Sequence, residues 1–112
     1  AGTSFGNDAV YIEKYIDAHF KEDITLDTLS ELTFLNKYHI VHAFKQYKGI
    51  SPINYMIQKR LDEAKLLLST TNLQISEISI IIGFTSQSYF AQAFKKATGI
   101  SPIQFRKNHS EQ

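Results

Sequence analysis

The stretch Phe44-Lys45-Gln46-Tyr47-Lys48-Gly49-Ile50-Ser51-Pro52-Ile53-Asn54-Tyr55 returns fifty residues later as Phe94-Lys95-Lys96-Ala97-Thr98-Gly99-Ile100-Ser101-Pro102-Ile103-Gln104-Phe105. Seven of the twelve positions are identical, and the pairs Asn54/Gln104 and Tyr55/Phe105 are chemically alike. Upstream, the apolar rhythm of the two copies also matches once one residue is inserted before Tyr89 in the second. The chain therefore contains a duplication. Two copies are too few for a solenoid, in which each repeat relies on several stacked neighbours.

Each copy reads as helix, short turn, helix, stop. In the first, Thr25 is suited to cap a helix carrying Leu26, Leu29 and Leu32 at helical spacing. A break at Phe34-Leu35-Asn36 comes next, with Asn36 capping a second helix over 37–48 and Gly49 supplying a left-handed stop. In the second copy Ser76 or Gln74 opens a helix with Ile75, Ile78 and Ile82, Gly83 lies in the turn, and Ser86 caps a helix running to Ala97. Two short helices joined by a few residues form a helix-turn-helix signature. Ser51-Pro52 and Ser101-Pro102 each place a capping hydroxyl before a proline at the first helical position. The first starts a long helix over about 52–69, the second a short one around 103–107. Ahead of both, residues 8–20 carry Ile12, Ile16 and Phe20 on one face of an amphipathic helix. No stretch alternates at period two for long.

The expected fold is all-α, with about seven helices: two helix-turn-helix subdomains joined by a long linking helix. Residues 1–7 read as a linker or cloning remnant and 8–50 as the N-terminal helix plus the first helix-turn-helix. Residues 51–70 are the linking helix, and 71–112 are the second helix-turn-helix with the terminal helix.

With 112 residues, there is no room for a separate substrate domain, and 43% hydrophobic with 21% charged residues fits an ordinary globular chain. The absence of Cys removes disulfides, thiolate nucleophiles and Cys-based zinc sites. His39 and His42 are spaced as metal ligands can be, but no Asp or Glu lies between residues 32 and 61 to complete a site. No metal, cofactor or enzymatic activity is expected, and no membrane span. The net charge of +1 hides a strong segregation. Residues 1–35 carry −5, residues 36–60 carry +5, residues 61–80 carry −2 and residues 81–112 carry +3. Both positive blocks fall on the second helix of a copy and the residues just after it, which is the clustering that phosphate attraction needs.

Arg60-Leu61-Asp62-Glu63-Ala64-Lys65-Leu66-Leu67-Leu68, Ile75-Ser76-Glu77-Ile78, Gly83-Phe84-Thr85-Ser86-Gln87-Ser88-Tyr89-Phe90 and Phe94 through Pro102 together resemble the DNA-binding domain of AraC/XylS-type bacterial transcription regulators. The likeness extends more loosely over about 24–107. It implies sequence-specific binding of double-stranded operator or promoter DNA and regulation of transcription in the bacterial cytoplasm, with activation the expected direction. It also implies a separate effector or dimerisation domain in the full-length protein, of which this chain would be an excised or naturally short DNA-binding portion. RNA polymerase is a further partner that the resemblance implies. Where the family often carries an arginine two residues before the core Phe of each recognition helix, this chain has His42 and Gln92; the family's small residue in each first helix is Ser30 and Ser79.

A helix fits the major groove, where base edges carry a distinct donor and acceptor pattern. Tyr38, Val41 and His42 in the first recognition helix, and Gln87, Ser88 and Gln92 in the second, are the expected base readers. Gln92 can bridge adenine N6 and N7, His42 can donate to guanine, and Val41 can touch a thymine methyl. Phosphate contacts are expected from Asn36, Lys37, Lys45, Lys48, Ser86, Lys95, Lys96, Arg106 and Lys107. On the inner faces, Ile40, Ala43, Phe44 and Tyr47, and then Phe90, Ala93 and Phe94, are expected to pack; Arg60 reads as an ion-pair or packing residue. The linking helix, about 27 Å at roughly 1.5 Å per residue, compares with about 34 Å between successive major-groove faces. Tilt or a DNA bend costing about 1–6 kcal/mol would close that gap. The alternative is a helical protein-interaction module that contacts RNA polymerase or another regulator without base readout of its own.

Overall fold

A computed structural model describes residues 3–109, with side chains from residue 7 onward. Its helices are α1 (Thr3–His19), α2 (Leu26–Thr33), α3 (Lys37–Lys48), α4 (Pro52–Thr70), α5 (Ile75–Ile81), α6 (Gln87–Thr98) and α7 (Pro102–His109). Among the described residues there is no strand, and no helix is long and apolar enough to cross a membrane. The seven-helix, all-α architecture is the one expected.

Two boundaries differ by more than one residue. α1 begins at Thr3 rather than at residue 8, so much of the segment read as a linker is helical. Once a helix is nucleated, each further residue needs only one more hydrogen bond, and no proline interrupts the run. α7 likewise runs Pro102–His109, beyond the expected 103–107. Of the alternatives at α5, Gln74 is the opening residue, and its N–H donates to the Glu77 carboxylate at 2.9 Å.

The remaining caps obey the residue types in the sequence. Thr25 Oγ1 accepts from the Thr28 N–H at 3.1 Å, Asn36 Oδ1 from His39 at 2.7 Å and Ser86 Oγ from Tyr89 at 3.0 Å. Ser51 and Ser101 accept from the N–H of Asn54 and Gln104 at 3.2 and 3.1 Å. Gly49 and Gly99 both end their helices at φ 88°, and a β-carbon at either would meet nothing within 4 Å. Backbone conformation alone explains those glycines.

The chain divides into two compact units, one ending at Lys59 and the other beginning at Arg60, within α4. In the first unit Ile12 and Ile16 of α1, Ile24, Leu29 of α2, Ile40 and Phe44 of α3, and Met56 of α4 form a buried cluster. Tyr15, Phe20, Leu26, Leu35, Ile53 and Tyr55 pack around it. Tyr47 does not join them as expected. It is exposed, because its hydroxyl reaches out to donate to Glu13 at 2.7 Å.

In the second unit Leu61, Ala64, Leu68, Ile78, Ile82, Phe84, Phe90 and Phe94 are buried. The rings of Phe84, Phe90, Phe94 and Phe105 succeed one another at centroid distances of 5.5, 5.8 and 5.4 Å. Each such aromatic pair adds about 0.5–1.5 kcal/mol beyond area burial. Ala93 is only half-buried, at the margin of this core. Arg60 is 6% exposed and lies with its guanidinium carbon 5.6 Å from the Phe84 ring centre, a packing role as the sequence suggested.

Arg106 has the most constrained polar geometry in the second unit. Its Nε donates to the carbonyl of Leu68 at 3.1 Å, one terminal nitrogen to that of Leu73 at 2.6 Å and the other to that of Thr71 at 3.1 Å. The planar fork thus pins the chain where α4 ends and runs toward α5. Replacing Arg106 with Ala should destabilise the protein by about 2–3 kcal/mol in urea unfolding, with Lys failing to restore the loss because an ammonium cannot span the three carbonyls.

The two turns between paired helices place different residues at their left-handed position. Gly83 takes φ 98°, whereas in the first copy Phe34 adopts φ 62° and is 93% exposed. The left-handed conformation penalises a side chain by about 1–2 kcal/mol. Phe34→Gly removes that penalty with no loss of burial, so urea unfolding should show a gain of up to about 1 kcal/mol.

Candidate nucleic-acid interface

In the first unit, α3 spends one face on the core through Ile40, Ala43 and Phe44. The opposite face exposes Lys37, Tyr38, His42 and Lys45, with Val41 half-buried beside them. Tyr38, 73% exposed, and His42 are one helical turn apart and joined: the His42 Nε2 and the Tyr38 hydroxyl lie 2.6 Å apart, with ring centres at 4.3 Å in an edge-on arrangement. Gln46, the counterpart of Lys96 in the repeat, is also exposed on α3. It is absent from the residues expected at the interface, although the repeat register pairs it with Lys96.

The cations of this unit are differently committed. Lys37 is ion-paired to Asp27 of α2. Lys48 Nζ is 2.8 Å from Glu13 of α1 and lies over the rings of Tyr47 and Tyr55 at 5.8 and 5.2 Å. Lys45 makes no side-chain hydrogen bond or ion pair with the described residues. Lys48 was expected among the phosphate contacts; its present geometry serves the α1–α3 packing instead.

That packing is an ionic and phenolic network. The hydrogen bond from Lys48, then that from Tyr47, holds the Glu13 carboxyl below its usual range. The same carboxylate raises Lys48 and Tyr47 above theirs. Nearby, burial and then a 2.6 Å hydrogen bond to Asp17 push the Tyr55 hydroxyl above the ordinary phenol range.

In the second unit, α6 buries Phe90 and Phe94 and exposes Gln87, Ser88, Gln92, Lys95 and Lys96. None of these five side chains is hydrogen-bonded or ion-paired among the described residues. Lys107 of α7 is likewise exposed. Tyr89, also absent from the expected interface, is exposed in the first turn of α6 and packs edge-on against Phe84 at 5.1 Å. Arg106 was expected to bind phosphate; in the structure each of its three nitrogens donates one hydrogen bond inward, to the Leu68, Leu73 and Thr71 carbonyls. The structure gives it a clamping role. Asn36 and Ser86 direct their side-chain oxygens to their own caps, so what they offer a phosphate is the free backbone N–H groups of the helix starts behind them.

Both units therefore present the same device: a capped helix whose inner face is fixed by aromatic packing and whose outer face carries polar and cationic side chains. The turn ahead of each such helix is tied by a serine. The Ser30 hydroxyl donates to the Leu35 carbonyl at 2.5 Å, and that of Ser79 to the Ser86 carbonyl at 3.3 Å.

Comparison with known proteins agrees with that construction. The helix-turn-helix domain family matches residues 29–108. The chain belongs to the AraC/XylS-type regulators. It is 40% identical over 96 residues to the bifunctional transcriptional activator/DNA repair enzyme AdaA of Bacillus subtilis, covering 86% of this chain and 46% of that protein. It is 35% identical over 99 residues to the arabinose operon regulatory protein of Escherichia coli, covering 88% of this chain and 34% of that one. The C-terminal domain of AraT, a response regulator from Geobacillus stearothermophilus, superposes with a TM-score of 0.89 at 35% identity, over 94% of this chain and 88% of that domain. The chain spans less than half the length of the two regulators it matches.

In this AraC/XylS-type domain the Glu13 network predicts a definite pH response. A carboxyl whose pKa is lowered by folding contributes stability above its unfolded-state range and loses it as pH falls through the folded one. Lys48, raised by folding, contributes below the ordinary lysine range and loses its share as pH rises through its folded value. Glu13→Gln should accordingly have a lower Tm than wild type near neutrality, with the gap closing as pH falls through and below the carboxylate range.

Proposed function

We propose that this chain binds double-stranded DNA in a sequence-specific manner and regulates transcription, with activation the expected direction, through α3 and α6 placed in successive major-groove segments. The observation that carries this reading is the repeated one: two capped helices, each anchored by buried phenylalanines, each leaving a polar outer face. α4, with 19 residues, is about 28 Å long at 1.5 Å per residue, of the order of the groove spacing of about 34 Å.

Within that reading, Tyr38, His42 and half-buried Val41 supply base contacts from the first unit, and Gln87, Ser88 and Gln92 from the second. Lys45, Lys95, Lys96 and Lys107 supply phosphate contacts, joined by the N-terminal N–H groups of α3 and α6. Lys37 and Lys48 contribute only where DNA displaces Asp27 and Glu13. A separate effector or dimerisation domain belongs to the longer protein, and the working compartment is the cytoplasm.

A second partner is supported by one specific feature. Ile80 is 75% exposed on α5 where the first copy has Glu31, and the adjoining Ile81 is exposed too. An apolar side chain replacing an acid on a solvent face suits a protein contact, for which RNA polymerase is the natural candidate in a regulator.

Site selection from a random duplex pool tests the reading. An enriched site is expected, with affinity falling steeply as salt rises. Gln92→Ala should cost about 1–3 kcal/mol at one base pair, whereas Lys96→Ala should weaken all sequences alike and lower the salt slope by about one. No enrichment at low salt would favour the protein-interaction module.

A further inference from the structure

Two lysines of α3 are held by acids, and the two ion pairs are built differently. Glu13, which holds Lys48, is half-buried, also accepts from Tyr47 and so ties α1 to α3. Asp27 and Lys37 have no such ties. Their side chains are 70 and 54% exposed, and each engages only the other among the described residues. An ion pair that exposed adds little to stability, because water solvates both charges and two flexible side chains must be held in one geometry.

The second copy achieves the same construction without this pair. Asp27 is the second residue of α2 and Lys37 the first of α3; the matching places in α5 and α6 hold Ser76 and Gln87. Both are exposed and uncharged. Yet α6 is capped by Ser86 as α3 is by Asn36, and Ser79 ties its turn as Ser30 ties the other. The helix-turn-helix geometry therefore does not need the ion pair.

What the pair does change is charge. Lys37 lies beside Tyr38 on the face of α3 that the core leaves free. While Asp27 is closed on it, the two have no net charge, so Lys37 attracts a phosphate weakly and the carboxylate repels it. We propose that Asp27 is an internal competitor of the DNA backbone, cancelling the cation at the start of the first recognition helix. It thereby lowers the affinity of the first unit for all sequences alike. The proposal rests on the DNA-binding reading above and adds to it a residue on α2, outside both recognition helices, that weakens binding.

A double-mutant cycle tests it. Wild type, Asp27→Ser, Lys37→Gln and the double variant are titrated with two labelled duplexes, one carrying the selected site and one of random sequence. Each substitution takes the residue that the second copy carries at that place, and Asp27→Asn removes the same charge with the side-chain shape kept. Asp27→Ser and Asp27→Asn should each tighten both duplexes by about two- to fivefold, the scale of one exposed ion pair. The salt dependence should steepen by up to about one phosphate contact. In the Lys37→Gln background the gain should largely vanish. A role of Asp27 confined to α2, through the helix dipole, would not depend on Lys37. Unchanged or weaker binding in both Asp27 variants overturns the proposal. So does an equal gain with and without Lys37, which would mark a general loss of negative charge. If wild type binds neither duplex at low salt, the DNA-binding reading is overturned instead, and the role of Asp27 with it.

Discussion

A helix of seven or eight residues does not hold its shape in water, because nucleation costs more than so few hydrogen bonds return. α2 has eight residues and α5 seven. Each exists because one apolar residue, Leu29 or Ile78, is fully buried within its unit, where Phe44 or the pair Phe90 and Phe94 also lies. The rest of the structure depends on this packing. It fixes which face of α3 and α6 turns inward, and so which side chains remain for a ligand. It also explains why the twelve-residue motif is repeated with its Phe, Gly, Ser and Pro unchanged: these residues anchor the helix, end it and start the next. Two of the differences between copies, Tyr38 against Ser88 and His42 against Gln92, are on the face that the core does not use.

The same division appears in the charges. In the first unit, acids from α1 and α2 hold Lys48 and Lys37, leaving Lys45 uncommitted on α3. In the second, Lys95 and Lys96 stand exposed on α6 with no acid engaging them among the described residues. A near-neutral total thus conceals one unit in which acids hold two of the α3 lysines and another in which the lysines of α6 stand unengaged among the described residues. On the proposed reading, attraction to a polyanion falls mainly to the second unit, whereas the first offers the more distinctive hydrogen-bonding surface.

Much of this was legible in the sequence. The duplication gave the helix count, the caps at Thr25, Asn36 and Ser86 are where the residue types predict, and the buried faces of α3 and α6 reflect the Phe spacing. Side-chain reach across the fold was not legible. Nothing local to Arg106 announces three carbonyls some thirty-five residues upstream, and nothing local to Lys48 or Tyr47 announces Glu13 on α1. A long side chain near a basic cluster looks the same in sequence whether it points to solvent or clamps the backbone. Phe34 is the converse case: its hydrophobicity suggests burial, yet it lies exposed in a left-handed turn.

Hydroxyl-radical footprinting of the chain on its selected site bears most directly on the claim that both recognition helices engage DNA. Two protected segments on one face of the duplex, centred about 10 base pairs apart, are predicted for helices in successive major-groove turns. A single protected segment, unchanged when Gln92, Lys95 and Lys96 are all replaced with alanine, would contradict it.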